Sequence, residues 1–162
     1  TSQILSIVVD PSNHKIIYVL VIDEGIYKST DGGSTWQLYA SNPDPSFFDI
    51  AIDPNNTQVL YGATGTNAGL IVSKSTDSGI TWKDTALPAG YIYVNPVDSN
   101  IVYSVGLIGV VMSLDGGMTI KPIGPTIPSN ILVTRNYPLG FAIDTSNYNI
   151  LYLAADGVYK YY

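Results

Sequence analysis

Carboxylates are the side chains in this sequence whose number and placement could do chemistry. Thirteen acidic residues stand against seven basic ones and a single histidine, for a formal net charge of −6. Four of the acids, Asp23, Glu24, Asp44 and Asp49, fall in or beside turn-like segments. Two carboxylates held about 5 to 9.5 Å apart on either side of a sugar supply the acid and the base or nucleophile of glycoside hydrolysis. Nothing in the spacing selects such a pair. Asp23-Glu24-Gly25 is ordinary turn chemistry, and Asn42-Pro43-Asp44-Pro45 reads as a surface turn.

Other chemistries are excluded more firmly. The sequence has no cysteine, which removes disulfides, thiolate catalysis and most zinc sites. His14 stands alone in a polar turn, so neither a Ser–His–Asp arrangement nor a histidine metal cluster can be assembled. No glycine-rich loop follows a strand and opens a helix, so a phosphate cradle is not implied. The basic residues Lys15, Lys28, Lys74, Lys83, Lys121, Lys160 and Arg135 are scattered, whereas a nucleic-acid partner needs them clustered. No cofactor is implied. No apolar run approaches the roughly 18 to 20 residues that span a bilayer.

With 46% hydrophobic and only 12% charged residues, the polar surface is carried mainly by hydroxyl and amide groups. The chain begins at Thr1 and carries the sequon Asn55-Asn56-Thr57, so the expectation is a processed or excised, extracellular or cell-surface protein.

The elements that would position these side chains come from an internal repeat. Ile7-Val8-Val9-Asp10, Ile50-Ala51-Ile52-Asp53, Ile92-Tyr93-Val94-Asn95 and Phe141-Ala142-Ile143-Asp144 line up, each an apolar run ending in Asp or Asn. Eight residues after each comes a tyrosine: Tyr18, Tyr61, Tyr103 and Tyr152. A third strand signal follows at Gly25-Ile26-Tyr27, Leu70-Ile71-Val72, Gly109-Val110-Val111 and Gly157-Val158-Tyr159, and a fourth starts near Trp36, Trp82 and Ile120. No segment has a sustained helical period. Four short antiparallel strands in 38 to 49 residues predict an all-β fold of β-propeller blades. The repeats divide at about 1–45, 46–88, 89–135 and 136–162, three complete blades and a three-stranded fourth. Fifteen strands with an unpaired edge along Val158 to Tyr162 predict a piece of a larger propeller, or copies that associate.

The turns between third and fourth strands are Ser29-Thr30-Asp31-Gly32-Gly33-Ser34-Thr35-Trp36, Ser75-Thr76-Asp77-Ser78-Gly79-Ile80-Thr81-Trp82 and Ser113-Leu114-Asp115-Gly116-Gly117-Met118-Thr119-Ile120. They resemble the Asp-box, Ser-x-Asp-x-Gly-x-Thr-Trp, of BNR-repeat propellers. Sialidases, sortilin-type receptors, xyloglucan-active glycosidases and photosystem assembly factors share that motif. Physically, Asp31, Asp77 and Asp115 accept backbone N–H groups of their own turns. Gly33, Gly79 and Gly117 permit the reversal, and Trp36 and Trp82 are expected to plug the space between hairpin and blade. Thr35, Thr81 and Thr119 complete the boxes. Each box brings one carboxylate while calcium takes six to eight oxygens, so the boxes read as structural and no metal site is assigned.

The resemblance implies a ligand face opposite the boxes, made of the second-to-third strand turns and the interblade segments 41–48, 85–90 and 121–140. Asp23, Glu24, Asp44, Asn67, Arg135 and Tyr137 are its candidate residues. Phe47, Phe48, Tyr137, Tyr161 and Tyr162 could stack on sugars or bind protein, while the repeating tyrosines pack the blades. A sialidase would need an arginine cluster and a Tyr–Glu pair, and one arginine with one glutamate excludes it. The leading expectation is a non-catalytic interaction scaffold with a protein partner or a second copy of itself. The alternative is part of a secreted polysaccharide-active glycoside hydrolase, with carbohydrate as the ligand.

Overall fold

The computed structural model describes residues 2–41, 47–66, 69–106, 109–123, 140–144, 147, 150–154 and 158–161. These residues form fifteen strands in four antiparallel sheets, each a meander in which sequence neighbours pair. The first sheet holds β1 (Ile4–Val9), β2 (Ile17–Val21), β3 (Gly25–Ser29) and β4 (Gln37–Ser41). The second holds β5 (Phe47–Ile52), β6 (Leu60–Thr66), β7 (Gly69–Ser75) and β8 (Lys83–Pro88). The third holds β9 (Tyr91–Val94), β10 (Val102–Gly106), β11 (Gly109–Ser113) and β12 (Lys121–Pro122). The last holds β13 (Gly140–Ile143), β14 (Leu151–Ala154) and β15 (Val158–Tyr161), with β15 at the edge of the described sheet. This is the all-β propeller architecture that the repeat predicts.

Strand composition follows from how the sheets stack. A sheet covered on both faces needs apolar residues on both, and β10 (Val102-Tyr103-Ser104-Val105-Gly106) is buried at every position. Three apolar layers fill the gaps between successive sheets. Tyr18, Leu20 and Ile26 of the first sheet meet Phe47, Ile50 and Leu60 of the second. Tyr61, Ala63 and Val72 meet Val94, Val102 and Val111 of the third. Tyr103, Val105 and Val110 meet Ile143 and Leu151 of the fourth. Each fully buried Leu, Ile or Val in these layers contributes about 1.5–3 kcal/mol.

The turn after each first strand is built the same way. The backbone N–H of Asp10, Asp53, Asn95 and Asp144 donates to the carbonyl of Ile16, Val59, Ile101 and Ile150, at 2.9 to 3.0 Å. The side-chain oxygens of Asp10, Asp53 and Asn95 accept the N–H two residues on, from Ser12, Asn55 and Val97. Asn95 does this with an amide, so the turn requires an acceptor and not a charge.

Three loop expectations are corrected in part. Residues 47–48 and 85–88, expected in interblade connections, lie in β5 and β8, and 121–122 form β12. Phe47 and Leu87 explain the difference, since both side chains are buried and extend the strands into the interblade layers.

Candidate functional site

Asp23 and Glu24 lie in the tight turn between β2 and β3. Asp23 is exposed and has φ 61, a left-handed conformation that Asp tolerates better than most side chains. Glu24 is also exposed, and its carboxylate accepts the hydroxyls of Ser2 and Tyr27. Those hydroxyls hold Glu24 below its ordinary range, and the same bond to Glu24 pushes the Tyr27 phenol up. Glu24 is thereby kept as an anion and is a poor proton donor.

Asp49 lies inside β5 and not in a turn, which corrects its expected placement. Its carboxylate accepts the Ser6 hydroxyl from β1 at 2.9 Å and the Ile92 N–H of β9 at 2.9 Å. One side chain thus ties the first strands of three successive sheets. Burial pushes its pKa up, against the lowering pull of the Ile92, Ser6 and Ile50 hydrogen bonds.

Asp44, Asn67, Arg135, Tyr137 and Tyr162 lie outside the described residues, as does the Tyr161 side chain. Phe47, named as a stacking platform, is buried against the indole of Trp82, with ring centroids 5.2 Å apart. The ring lies across Gly62, where an added Cβ would sit 2.0 Å from a ring carbon. That close approach is why a glycine stands in mid-strand. Phe48 is half-buried and packs on the layer between the second and third sheets.

On the opposite face the three boxes share one hydrogen-bond scheme. Ser29, Ser75 and Ser113 each accept the N–H of the box glycine (Gly33, Gly79, Gly117) at 2.8 Å and donate to the box carboxylate. Asp31, Asp77 and Asp115 accept both the N–H and the hydroxyl of Thr35, Thr81 and Thr119. These bonds, with the Ser hydroxyl, hold all three carboxylates at about 2. The box glycines have φ between 91 and 101.

Both box indoles turn back onto their own hairpins. Each donates its N–H to the carbonyl of its own box glycine, Trp36 to Gly33 and Trp82 to Gly79, and so folds over the turn. Trp82 also packs on the layer between the first two sheets, whereas Trp36 is 40% exposed. Trp36 has no neighbouring sheet against it among the described residues.

Two arrangements escaped the sequence reading. Tyr18 pairs across the strands with Lys28, Tyr61 with Lys74 and Tyr152 with Lys160, each ammonium lying 4.9 to 5.8 Å from the ring centre. In the first two blades the signal was available, because the lysine immediately precedes the box serine; the third blade has Met112 there. The second is a hydroxyl link between blades. Ser99 donates to Asp53 at 2.7 Å, and Thr57 makes the equivalent bond to Asp10. Burial raises the Asp10 pKa, but the bonds from Ser12, Thr57 and Asn13 outweigh it and the net shift is down.

A groove of about 700 Å³ opens between β8 and the box of the third sheet. Its lining includes Lys74, Trp82, Lys83, Asp84, Thr85 and Asp115. A hollow of about 260 Å³ at the first blade is lined by that blade's own residues, among them Lys28, Gln37 and Tyr39. Among the described residues, no three His, Cys, Asp or Glu side chains converge as a metal cluster. No helix among them is long and apolar enough to cross a membrane.

Stacked antiparallel meanders whose third-to-fourth strand turns are Asp-boxes are the blades of an Asp-box β-propeller, and this chain is a segment of that fold. The BNR/Asp-box repeat family matches residues 27–38. Two sequences of xyloglucanase Xgh74A from Acetivibrio thermocellus resemble the chain more broadly. One is 35% identical over 112 residues, 62% of this chain and 13% of the relative. The other is 31% identical over 144 residues, 75% of this chain and 16% of the relative. The chain therefore spans less than a fifth of the length of these curated relatives. Among solved structures, an ancestral GH74 enzyme superposes with a TM-score of 0.79 at 25% identity, covering 98% of this chain and 22% of that one. A chain of a nidogen/laminin complex shares the fold, with a TM-score of 0.67 at 16% identity over 95% of this chain and 57% of that one.

Proposed function

We propose that this chain is a propeller segment of a secreted, polysaccharide-active glycoside hydrolase of the xyloglucanase type. In this reading it builds the blades that face the sugar chain and supplies one carboxylate, Asp23. The similarity to two xyloglucanases supports the class. The observation that carries the assignment within the chain is the state of Asp23. Among the described residues it is the one carboxylate with no hydrogen-bond partner, and it is exposed in a left-handed turn.

The other described acids are occupied. The box and turn aspartates bond their own backbone, Glu24 holds two hydroxyls, Asp49 joins three strands and Asp84 accepts the Ser73 hydroxyl at 2.7 Å. A glycosidase needs a second carboxylate about 5 to 9.5 Å away, which other blades of the propeller would contribute.

Hydrolysis of xyloglucan and cello-oligosaccharides by the full-length protein tests this. Asp23→Asn is expected to lower kcat by about 100-fold or more, the scale of a lost acid or base, with an unchanged thermal melt. Full turnover in that variant would remove Asp23 from the reaction. No turnover of any neutral glucan by the unmodified protein would leave the second reading, a non-catalytic scaffold that binds protein. That reading is favoured by how many of the described carboxylates are engaged in structural bonds.

A further inference from the structure

The groove between the second and third blades carries a site that the hydrolase reading does not use. One difference in sequence between the first two blades falls in its lining. At the first blade Tyr39 fills this position: its ring lies 4.5 Å from the Lys28 ammonium and edge-on to Tyr18, with centroids 5.9 Å apart. Counting three residues from the box tryptophan, the second blade has Thr85 where the first has Tyr39. The hollow beside Thr85 measures about 700 Å³ and is walled by the third-blade box as well as by its own blade, whereas the hollow of about 260 Å³ beside Tyr39 is lined by first-blade residues. Lys74 therefore keeps one ring, Tyr61 at 5.2 Å, and donates to the Gly116 carbonyl at 3.3 Å. Lys74 also bonds the Tyr61 hydroxyl, and since an ammonium has three donors, one is left to offer toward the hollow.

The chemistry of the lining selects the ligand. Lys74 and Lys83 bring two positive charges, and Asp84 and Asp115 bring two negative ones. A charged ligand would meet like charge as readily as opposite charge. A neutral polyol does not, because its hydroxyls donate to carboxylates and accept from ammoniums. Trp82, on the wall of the same groove, adds aromatic surface on which the apolar C–H groups of a pyranose can pack. We propose that the groove lined by Lys74, Trp82, Lys83, Asp84, Thr85 and Asp115 binds a neutral glucan chain, as a second saccharide site on the Asp-box face. It lies away from the β2–β3 turn that carries Asp23. The ligand class rests on the polysaccharide-active reading, and the site itself rests on the lining and on the exchange of Tyr39 for Thr85.

Titration of the chain with cellotetraose, followed by calorimetry and tryptophan fluorescence, tests it. Saturable binding is expected, weakened at least ten-fold by Thr85→Tyr, which restores the side chain that the first blade carries. Lys74→Met, which borrows the residue found at Met112 in the third blade, is expected to weaken it several-fold. Gln37→Ala, at the first-blade counterpart of Lys83, should leave affinity unchanged. The absence of saturable binding, or equal affinity in both groove variants with intact melts, would overturn the proposal. So would a tyrosine-bearing peptide that binds with the Thr85 dependence where cellotetraose does not, since that assigns the groove to a protein partner. The two proposals fail separately: hydrolysis without groove binding removes the groove alone, and groove binding without hydrolysis removes the hydrolase alone.

Discussion

The first strands of the first two blades carry the same motif and meet different fates. Ile7 and Ile50 both stand three residues before the turn aspartate, yet Ile7 is 60% exposed and Ile50 is 3% exposed. Six residues before that aspartate, Ile4 is 62% exposed and Phe47 is 4% exposed. The box indoles repeat the contrast, Trp36 lying open and Trp82 against Phe47. Nothing local separates the members of each pair. The first sheet covers the face of the second, while no described residue covers that face of the first. Burial in a propeller blade is thus a property of its neighbour, and the motif records only which side chains are ready to be covered.

The widest expected gap is between Ile50→Ala and Ile7→Ala. The first removes atoms from a closed interblade layer and should cost about 2–5 kcal/mol in denaturant unfolding of the chain. The second should stay within about 0.5 kcal/mol, as exposed substitutions do. Equal losses would mean that something covers the β1 face in solution, and the comparison would break there.

Glycines sharpen it next. Gly62→Ala drives a methyl group into the Phe47 ring and is expected to destabilise by about 1–3 kcal/mol, the cost of overpacking. At Gly32 an added Cβ meets nothing within 4 Å, and only its φ of 77 resists alanine. There the expected loss in the same unfolding assay is about 1 kcal/mol. A Gly62→Ala chain as stable as the native one would show that Phe47 does not hold its place between the blades.

Within the boxes, Ser75→Ala strands the N–H groups of Asp77 and Gly79 in a buried position and should cost about 1–3 kcal/mol by thermal or urea unfolding. Ser34→Ala, at an exposed box position, should change little.

The smallest effect separates carboxylates by pH. Asp31, Asp77 and Asp115 are held at about 2 when folded, below the unfolded value near 3.9, about where free aspartate titrates. Their contribution is present above that unfolded value and is lost as pH falls through about 2. Asp49 runs the other way. Its folded value is raised, so the folded chain binds the proton more tightly and stability falls as pH rises through the raised value. Asp49→Asn is expected to flatten the descending limb above about pH 4 and leave the acid limb intact. Denaturation midpoints measured across that range check it, and an unaltered descending limb would refute the assignment.

Much of this was legible in the sequence because it is written in short range. The eight-residue step from Asp10, Asp53 and Asn95 to a tyrosine marks a two-strand hairpin whose turn closes on its own aspartate or asparagine. The boxes likewise hold their own Ser, Thr and Gly within five residues. In sequence Phe47 and Asp49 follow closely on the turn pattern Asn42-Pro43-Asp44-Pro45, whereas in the fold both lie in β5. The distinction between a rim residue and a strand residue there depends on the neighbouring sheet. Thr85 carried no signal in isolation, and its meaning appears only beside Tyr39.

The sequence by itself determined the strand count per blade, the turn chemistry and the class of fold, since hydrogen bonds within a hairpin need no distant partner. Only the tertiary structure decided which apolar face is buried, that Asp49 ties three blades, and that a groove stands open between β8 and the third box. Those depend on how sheets far apart in the chain come to lie side by side, and no local pattern encodes the lateral contact.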